Sequence, residues 1–455
     1  MEKALNHTVV RPTGCAILAA AVMLLAGCGP NGRVRMERLD NGIPVVLKTM
    51  HGSGVATVML LVAAGSAYET ESNRGISRLI ERCLFRSTSG RPDVQKTIDS
   101  YGGEFASYIN QDFVSFGVTV ERSHLLDMIR VAASVVDSSR VDETLVASVK
   151  TGLMRTLESE QEKPRVAALN LFLRNAFPEG PYRFFPLGNP KTVQSLHADD
   201  VVRYYRSRFV SGNIAFVVTG DFDRHTVMET FRQCLGSPLP PAEVEPAIAQ
   251  PPEPTGPKQV RTTFPLPSKI SLVAVGWKAP SVTDPDTYDV DVLVSCLGTG
   301  QGSRLNAQVR QSMDSVYSIW AEYLTPKRPG YLMILSLCHP RVAEKVKARI
   351  LSEVEILKKD AVTPAELIRA KAALRSIMAY SNQSTLGAAY YLGHGTILGS
   401  LDFSINYDRY IDAITAEDVR TAAVKYLKGD QYTSVILLPG PQHGKVNPWK
   451  GGIPK

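Results

Sequence analysis

Arg78, Glu81 and Arg82 form the most chemically loaded stretch of this chain, within Gly75-Ile76-Ser77-Arg78-Leu79-Ile80-Glu81-Arg82-Cys83-Leu84-Phe85. Positions 78 and 82 are four apart, so on a helix their side chains share one face, with Glu81 beside them. Two guanidinium groups and a carboxylate in that arrangement suit a charge-assisted hydrogen-bonded cluster. The arginines cannot hold a metal, because a guanidinium keeps its proton in a protein and has no lone pair to donate. The eight histidines are scattered singly along the sequence, so none supplies a ready ligand pair.

The same stretch, preceded by Gly65-Ser66-Ala67-Tyr68-Glu69, resembles the insulinase/pitrilysin metallopeptidase family (peptidase family M16), which includes insulin-degrading enzyme and mitochondrial processing peptidase. There the family reads Gly-Ile-Ala-His-Phe-Leu-Glu-His-Met-Leu-Phe. Active members carry His-x-x-Glu-His on a helix, with both His on one zinc and the Glu as general base on zinc-bound water. In this chain both His positions are Arg, and only Glu81 matches. The family's third ligand is a Glu on a downstream helix. The matching region, Leu157-Glu158-Ser159-Glu160-Gln161-Glu162, offers both Glu158 and Glu160. The resemblance therefore implies a degenerate zinc site of Arg78, Glu81, Arg82 and Glu160 or Glu158. It implies no metal and no cofactor in this chain, and a salt-bridge cluster where the zinc would be. A second departure lies after Tyr101-Gly102-Gly103, where the family has a strand with Asn-Ala that meets substrate backbone. This chain reads Glu104-Phe105-Ala106-Ser107-Tyr108.

The second half opens a glycine-rich run, Leu297-Gly298-Thr299-Gly300-Gln301-Gly302-Ser303-Arg304-Leu305. It is not a phosphate loop, since no Lys-Ser or Lys-Thr follows and no clear nucleotide-binding unit surrounds it. It resembles the glycine-rich loop of the non-catalytic subunit of mitochondrial processing peptidase. Gly298, Gly300 and Gly302 would then form a peptide-contacting loop, with a plain tight turn as the alternative. In Arg310-Gln311-Ser312-Met313-Asp314-Ser315-Val316-Tyr317, the resemblance places Arg310 and Tyr317 on the Arg and Tyr that active family enzymes carry in their second half. Such an Arg binds a substrate carbonyl or carboxylate, and such a Tyr polarises the scissile carbonyl.

The resemblance spans about Met36 to Gly440, supported by Gly188-Asn189-Pro190 and the run Asn213 to Asp221. In bacterial two-subunit members one chain carries the zinc motif and the other the Arg and Tyr. This chain has the second set. The implied function is a non-catalytic subunit paired with a homologue carrying His-x-x-Glu-His, with zinc in that partner and peptides or unfolded proteins as substrates. The alternative is an inactive homodimeric peptide-binding or scaffold lipoprotein of the cell envelope.

The elements that must position these residues read as two halves. Residues 1–27 are expected to be a lipoprotein signal peptide, 36–237 a first domain, 238–256 a proline-rich connector, 257–440 a second domain and 441–455 a tail. Leu196-His197-Ala198-Asp199-Asp200-Val201 opens a helical stretch before the apolar run Ile214–Thr219. Ile414-Thr415-Ala416-Glu417-Asp418-Val419 does the same before Ser434–Leu438, 218 residues on, which argues for a duplicated domain. Strands are expected at 55–63, 113–120, 269–275 and 331–337, and helices at 125–136, 141–157, 342–358 and 364–378. The fold class is α+β: two homologous mixed-sheet domains with helices packed on one face, forming, by the resemblance, half of a clamshell.

The net charge of +7 is scattered, so no nucleic-acid partner is expected. Lys3 and Arg11 precede an apolar run from Cys15 to Ala26, too short to span a bilayer comfortably. It ends in Leu25-Ala26-Gly27-Cys28, which resembles the bacterial lipobox, so Cys28 is expected to be acylated and to anchor the protein to a membrane. Gly29 after it, in place of Asp, favours the outer membrane, facing the periplasm. Cys83, Cys234, Cys296 and Cys338 are spaced as buried free thiols rather than a disulfide framework.

Overall fold

A computed structural model describes residues 34–84, 86, 93–136, 141–236 and 256–440. Cys28 and the signal peptide, residues 238–255 of the connector, Phe85 and the tail lie outside the described residues.

The first sheet holds β1 (Val34–Arg38), β2 (Pro44–Thr49), β3 (Val55–Val62), β4 (Glu104–Ile109), β5 (Val114–Glu121) and β6 (Ile214–Gly220), in the order β1-β2-β6-β3-β5-β4. The second holds β7 (Lys258–Phe264), β8 (Ser271–Ala279), β9 (Val316–Leu324), β10 (Gly330–Cys338) and β11 (Thr433–Pro439), in the order β7-β11-β8-β10-β9. With β1 set aside, the two orders correspond strand for strand. Each has a single parallel pair at the same place, β2 with β6 and β7 with β11. The repeated helix–strand signal thus belongs to a repeated topology. His197 N donates to Asp200 at 3.0 Å and Thr415 N to Asp418 at 2.8 Å. These bonds satisfy the first turns of helices Ala198–Arg208 and Ala416–Tyr426, which lead into β6 and β11.

Each half packs its own helices on one face of its sheet, as expected. Ile76–Leu84, Leu125–Val136 and Arg224–Leu235 cover the face of the first sheet that carries Val58, Leu60, Phe116 and Phe216. The opposite face takes a helix from the other half. Helix Thr385–Leu398 lies on Met59, Leu61 and Val217. A Cβ on its Gly393 would come within 2.6 Å of Leu61 Cδ1. Reciprocally, helix Pro164–Ala176 lies on the second sheet, where Phe172 meets Tyr331 edge-on at 5.3 Å between ring centroids. Because both faces are covered, β3 and β6 read as near-continuous apolar runs rather than alternations.

Polar bonds fasten the exchange. Thr219 Oγ1 donates to the Thr385 carbonyl at 2.7 Å. Asp112 accepts from the Tyr182 hydroxyl at 2.7 Å and from Lys327 N at 3.0 Å.

Cys83, Cys296 and Cys338 are buried and free, but Cys234 is exposed. Phe231 and Leu235 turn to the core from the same helix, which leaves position 234 on the solvent face. Among the described residues no helix is long and apolar enough to cross a membrane.

Candidate functional site

Helix Ile76–Leu84 is set in place by Glu69, a buried carboxylate that accepts from Gly75 N at 2.8 Å and Ser77 N at 3.1 Å. It satisfies two of the orphan N–H groups at the helix start. On this helix Glu81 is 5% exposed. Its Oε1 accepts from Ser107 Oγ of β4 at 2.5 Å, and Arg82 Nε lies 3.4 Å from its Oε2.

The charge cluster is smaller than the sequence implies. Arg82 and Glu81 pair, but Arg78 Nη2 donates to the Pro186 carbonyl at 3.4 Å and its Nε has no hydrogen-bond partner. Burial lowers the Arg78 pKa from the usual arginine value. Glu160 pairs with Lys163 at 2.5 Å, one helical turn away and within easy reach. Glu158 is exposed. Among the described residues no three His, Cys, Asp or Glu groups are placed to hold a metal. Arginines stand at both ligand positions, and Glu81 is engaged by Ser107 and Arg82. These residues do not fit a zinc ion.

The second-half residues are brought together. Arg310 ends a short π-helix, Asn306–Arg310, a geometry that is rare and frequent at functional sites. Its Nη1 donates to Gln301 Oε1 of the glycine-rich run at 3.1 Å, and its Nε donates to the Tyr317 carbonyl at 3.1 Å. Tyr317 stands on β9 with its hydroxyl donating to the Lys269 carbonyl at 3.0 Å, and the residue is 45% exposed. Gly300 has φ +78°, and a Cβ on Gly298 would lie 2.2 Å from Ala321 N of β9. Close packing therefore requires glycine at 298, and the turn requires it at 300. Gly302 lies beside Arg369.

The sequence reading missed what holds this run. Asn306 is buried and donates to the Gly300 carbonyl at 3.1 Å, Ser303 Oγ at 3.0 Å and the Ile319 carbonyl at 3.4 Å. Arg304 makes a bidentate pair with Glu366, both contacts at 3.0 Å. No local pattern marks Asn306, since its partners come from a loop and a strand. Ser107 was likewise unmarked as the partner of Glu81.

A family model described as Insulinase (Peptidase family M16) matches residues 44–190, and one described as Peptidase M16 inactive domain matches residues 195–374. The chain belongs to peptidase family M16. An uncharacterised zinc protease of Streptomyces coelicolor is 23% identical over 432 residues, covering 92% of this chain and 93% of that protein. A probable mitochondrial-processing peptidase subunit beta of Arabidopsis thaliana is 22% identical, covering 86% and 76%. Among solved structures, a peptidase M16 inactive domain from Pseudomonas fluorescens superposes with a TM-score of 0.81 at 20% identity, covering 90% of this chain and 99% of that one. The two sheets and their helices thus have the M16 architecture of half a clamshell.

Proposed function

We propose that this M16 chain is the non-catalytic subunit of a two-subunit metallopeptidase. It would pair with a homologue that carries His-x-x-Glu-His and zinc, and act on peptides or unfolded proteins. One observation carries the reading. The position of the zinc motif has lost its donors, while Arg310, Tyr317 and the glycine-rich run stay joined by hydrogen bonds with the phenol partly exposed. In the complex Tyr317 would face the partner's zinc site and donate to the developing oxyanion. Arg310 would hold a backbone carbonyl or carboxylate of the peptide. Lipid on Cys28 would keep the pair at the membrane, at the periplasmic face of an outer membrane.

Mixing tests this reading. Purified alone, the chain is expected to hold no stoichiometric zinc and to cleave no unfolded peptide. Mixed with a His-x-x-Glu-His homologue from the same cell, it should form a 1:1 complex that cleaves the peptide faster than the homologue alone. No complex and no gain would overturn the proposal and favour the inactive homodimeric scaffold.

A further inference from the structure

A cavity of about 210 Å³ opens between helix Ile76–Leu84 and helix Glu143–Gln161. Arg82 and Arg86 line one side of it, and Ser148, Gly152 and Thr156 line the other. Glu81 alone among the described carboxylates pairs with Arg82, and none of them pairs with Arg86. The lining therefore carries an excess of positive charge. Both hydroxyls are turned onto their own helix, Ser148 to the Leu145 carbonyl at 2.8 Å and Thr156 to the Gly152 carbonyl at 3.3 Å. Recognition would fall to the arginines.

Gly152 is the second observation. It sits in the interior of a 19-residue helix, where glycine is less favourable than any residue but proline. A Cβ at this position would meet nothing within 4 Å. Neither packing nor a left-handed backbone requires glycine here. Its effect is to leave the cavity open. Val149 and Leu153 of the same helix add an apolar wall. Guanidinium groups above an apolar wall suit a carboxylate on a short aliphatic stem, which the planar fork of arginine can grip bidentately.

We propose that this cavity binds a peptide carboxylate, either an acidic side chain or a C-terminus, beside the position where active relatives would hold zinc. The proposal concerns the chain on its own and does not depend on a partner subunit.

Calorimetric titration of the full-length protein in detergent tests it with three pentapeptides. The first is pentaalanine with a free C-terminus. The second is acetylated, amidated pentaalanine. The third is acetylated, amidated Ala-Ala-Glu-Ala-Ala. At least one carboxylate peptide should bind, more weakly as salt is raised, while the uncharged peptide should not. Which of the two binds tells a terminus from a side chain. Arg86→Ala should weaken binding by about tenfold or more. Gly152→Leu should fill the cavity and abolish binding without lowering the melting temperature, because leucine is the better helix former. Failure of both carboxylate peptides to bind overturns the proposal. So does binding that survives either substitution unchanged.

Discussion

Arg310 and Tyr317 are joined through the backbone, not through their functional ends: Arg310 Nε donates to the Tyr317 carbonyl at 3.1 Å. The tyrosine hydroxyl reaches away to the Lys269 carbonyl at 3.0 Å. The bond between them fixes the strand start that carries the phenol. It leaves the hydroxyl's lone pairs for another molecule, since the hydroxyl only donates to Lys269. This arrangement separates positioning from chemistry, and the two residues can be tested apart.

Phe172 is fully buried where the first half's helix crosses the second sheet. A Cβ on Gly276 would lie 2.7 Å from its ring. Phe172→Ala should lower unfolding free energy by about 3–5 kcal/mol, the usual loss for a buried aromatic ring. Urea denaturation of the wild type and the variant measures it. A loss under about 1 kcal/mol would show that the exchanged helix contributes little to holding the halves together.

Asp291 accepts from the Tyr407 hydroxyl at 3.0 Å, and burial raises its pKa to about 7. The folded pKa is above the unfolded one, so between roughly pH 4 and 7 the native state keeps a proton that the unfolded chain has lost. Its contribution is present at pH 4 and lost as pH rises through 7, by at most about 1.4 kcal/mol per pH unit. Asp291→Asn removes this titration and should gain stability relative to wild type as pH rises. Taking the difference between the two proteins cancels other groups, including buried His394, whose pKa burial lowers to about 4. Parallel stability curves from pH 4.5 to 7.5 would contradict the assignment.

Cys28→Ser should move the protein out of the membrane fraction or leave an uncleaved precursor, as the lipobox-like Leu25-Ala26-Gly27-Cys28 implies. Fractionation and an immunoblot for size decide it. A variant that matures and sediments like the parent would refute the anchor.

Much of the fold was legible. The helix expected at 125–136 is found at Leu125–Val136, and the one expected at 141–157 runs from Glu143 to Gln161 behind an Asp142 cap. Periodicity finds such elements because each has one face on the core. It could not show that helices Pro164–Ala176 and Thr385–Leu398 cross to the other half's sheet, because an apolar face does not say which sheet it meets. At the candidate site, Arg78, Arg82 and the Arg310–Tyr317 pair were visible as residue types at fixed spacing. The pairing of Glu160 with Lys163 and the triple bonding of Asn306 were not, since each depends on side-chain reach in three dimensions.

The turnover of the reconstituted pair with Tyr317→Phe tests the central claim most directly. The substitution removes one hydroxyl and keeps the ring on β9. Against a generic unfolded peptide, kcat should fall on the order of 10²–10³-fold, as for loss of a comparable oxyanion donor. Size-exclusion chromatography should still show the complex, and the thermal melt should stay near wild type. Full activity in the intact Tyr317→Phe complex would contradict the claim that this chain completes its partner's site.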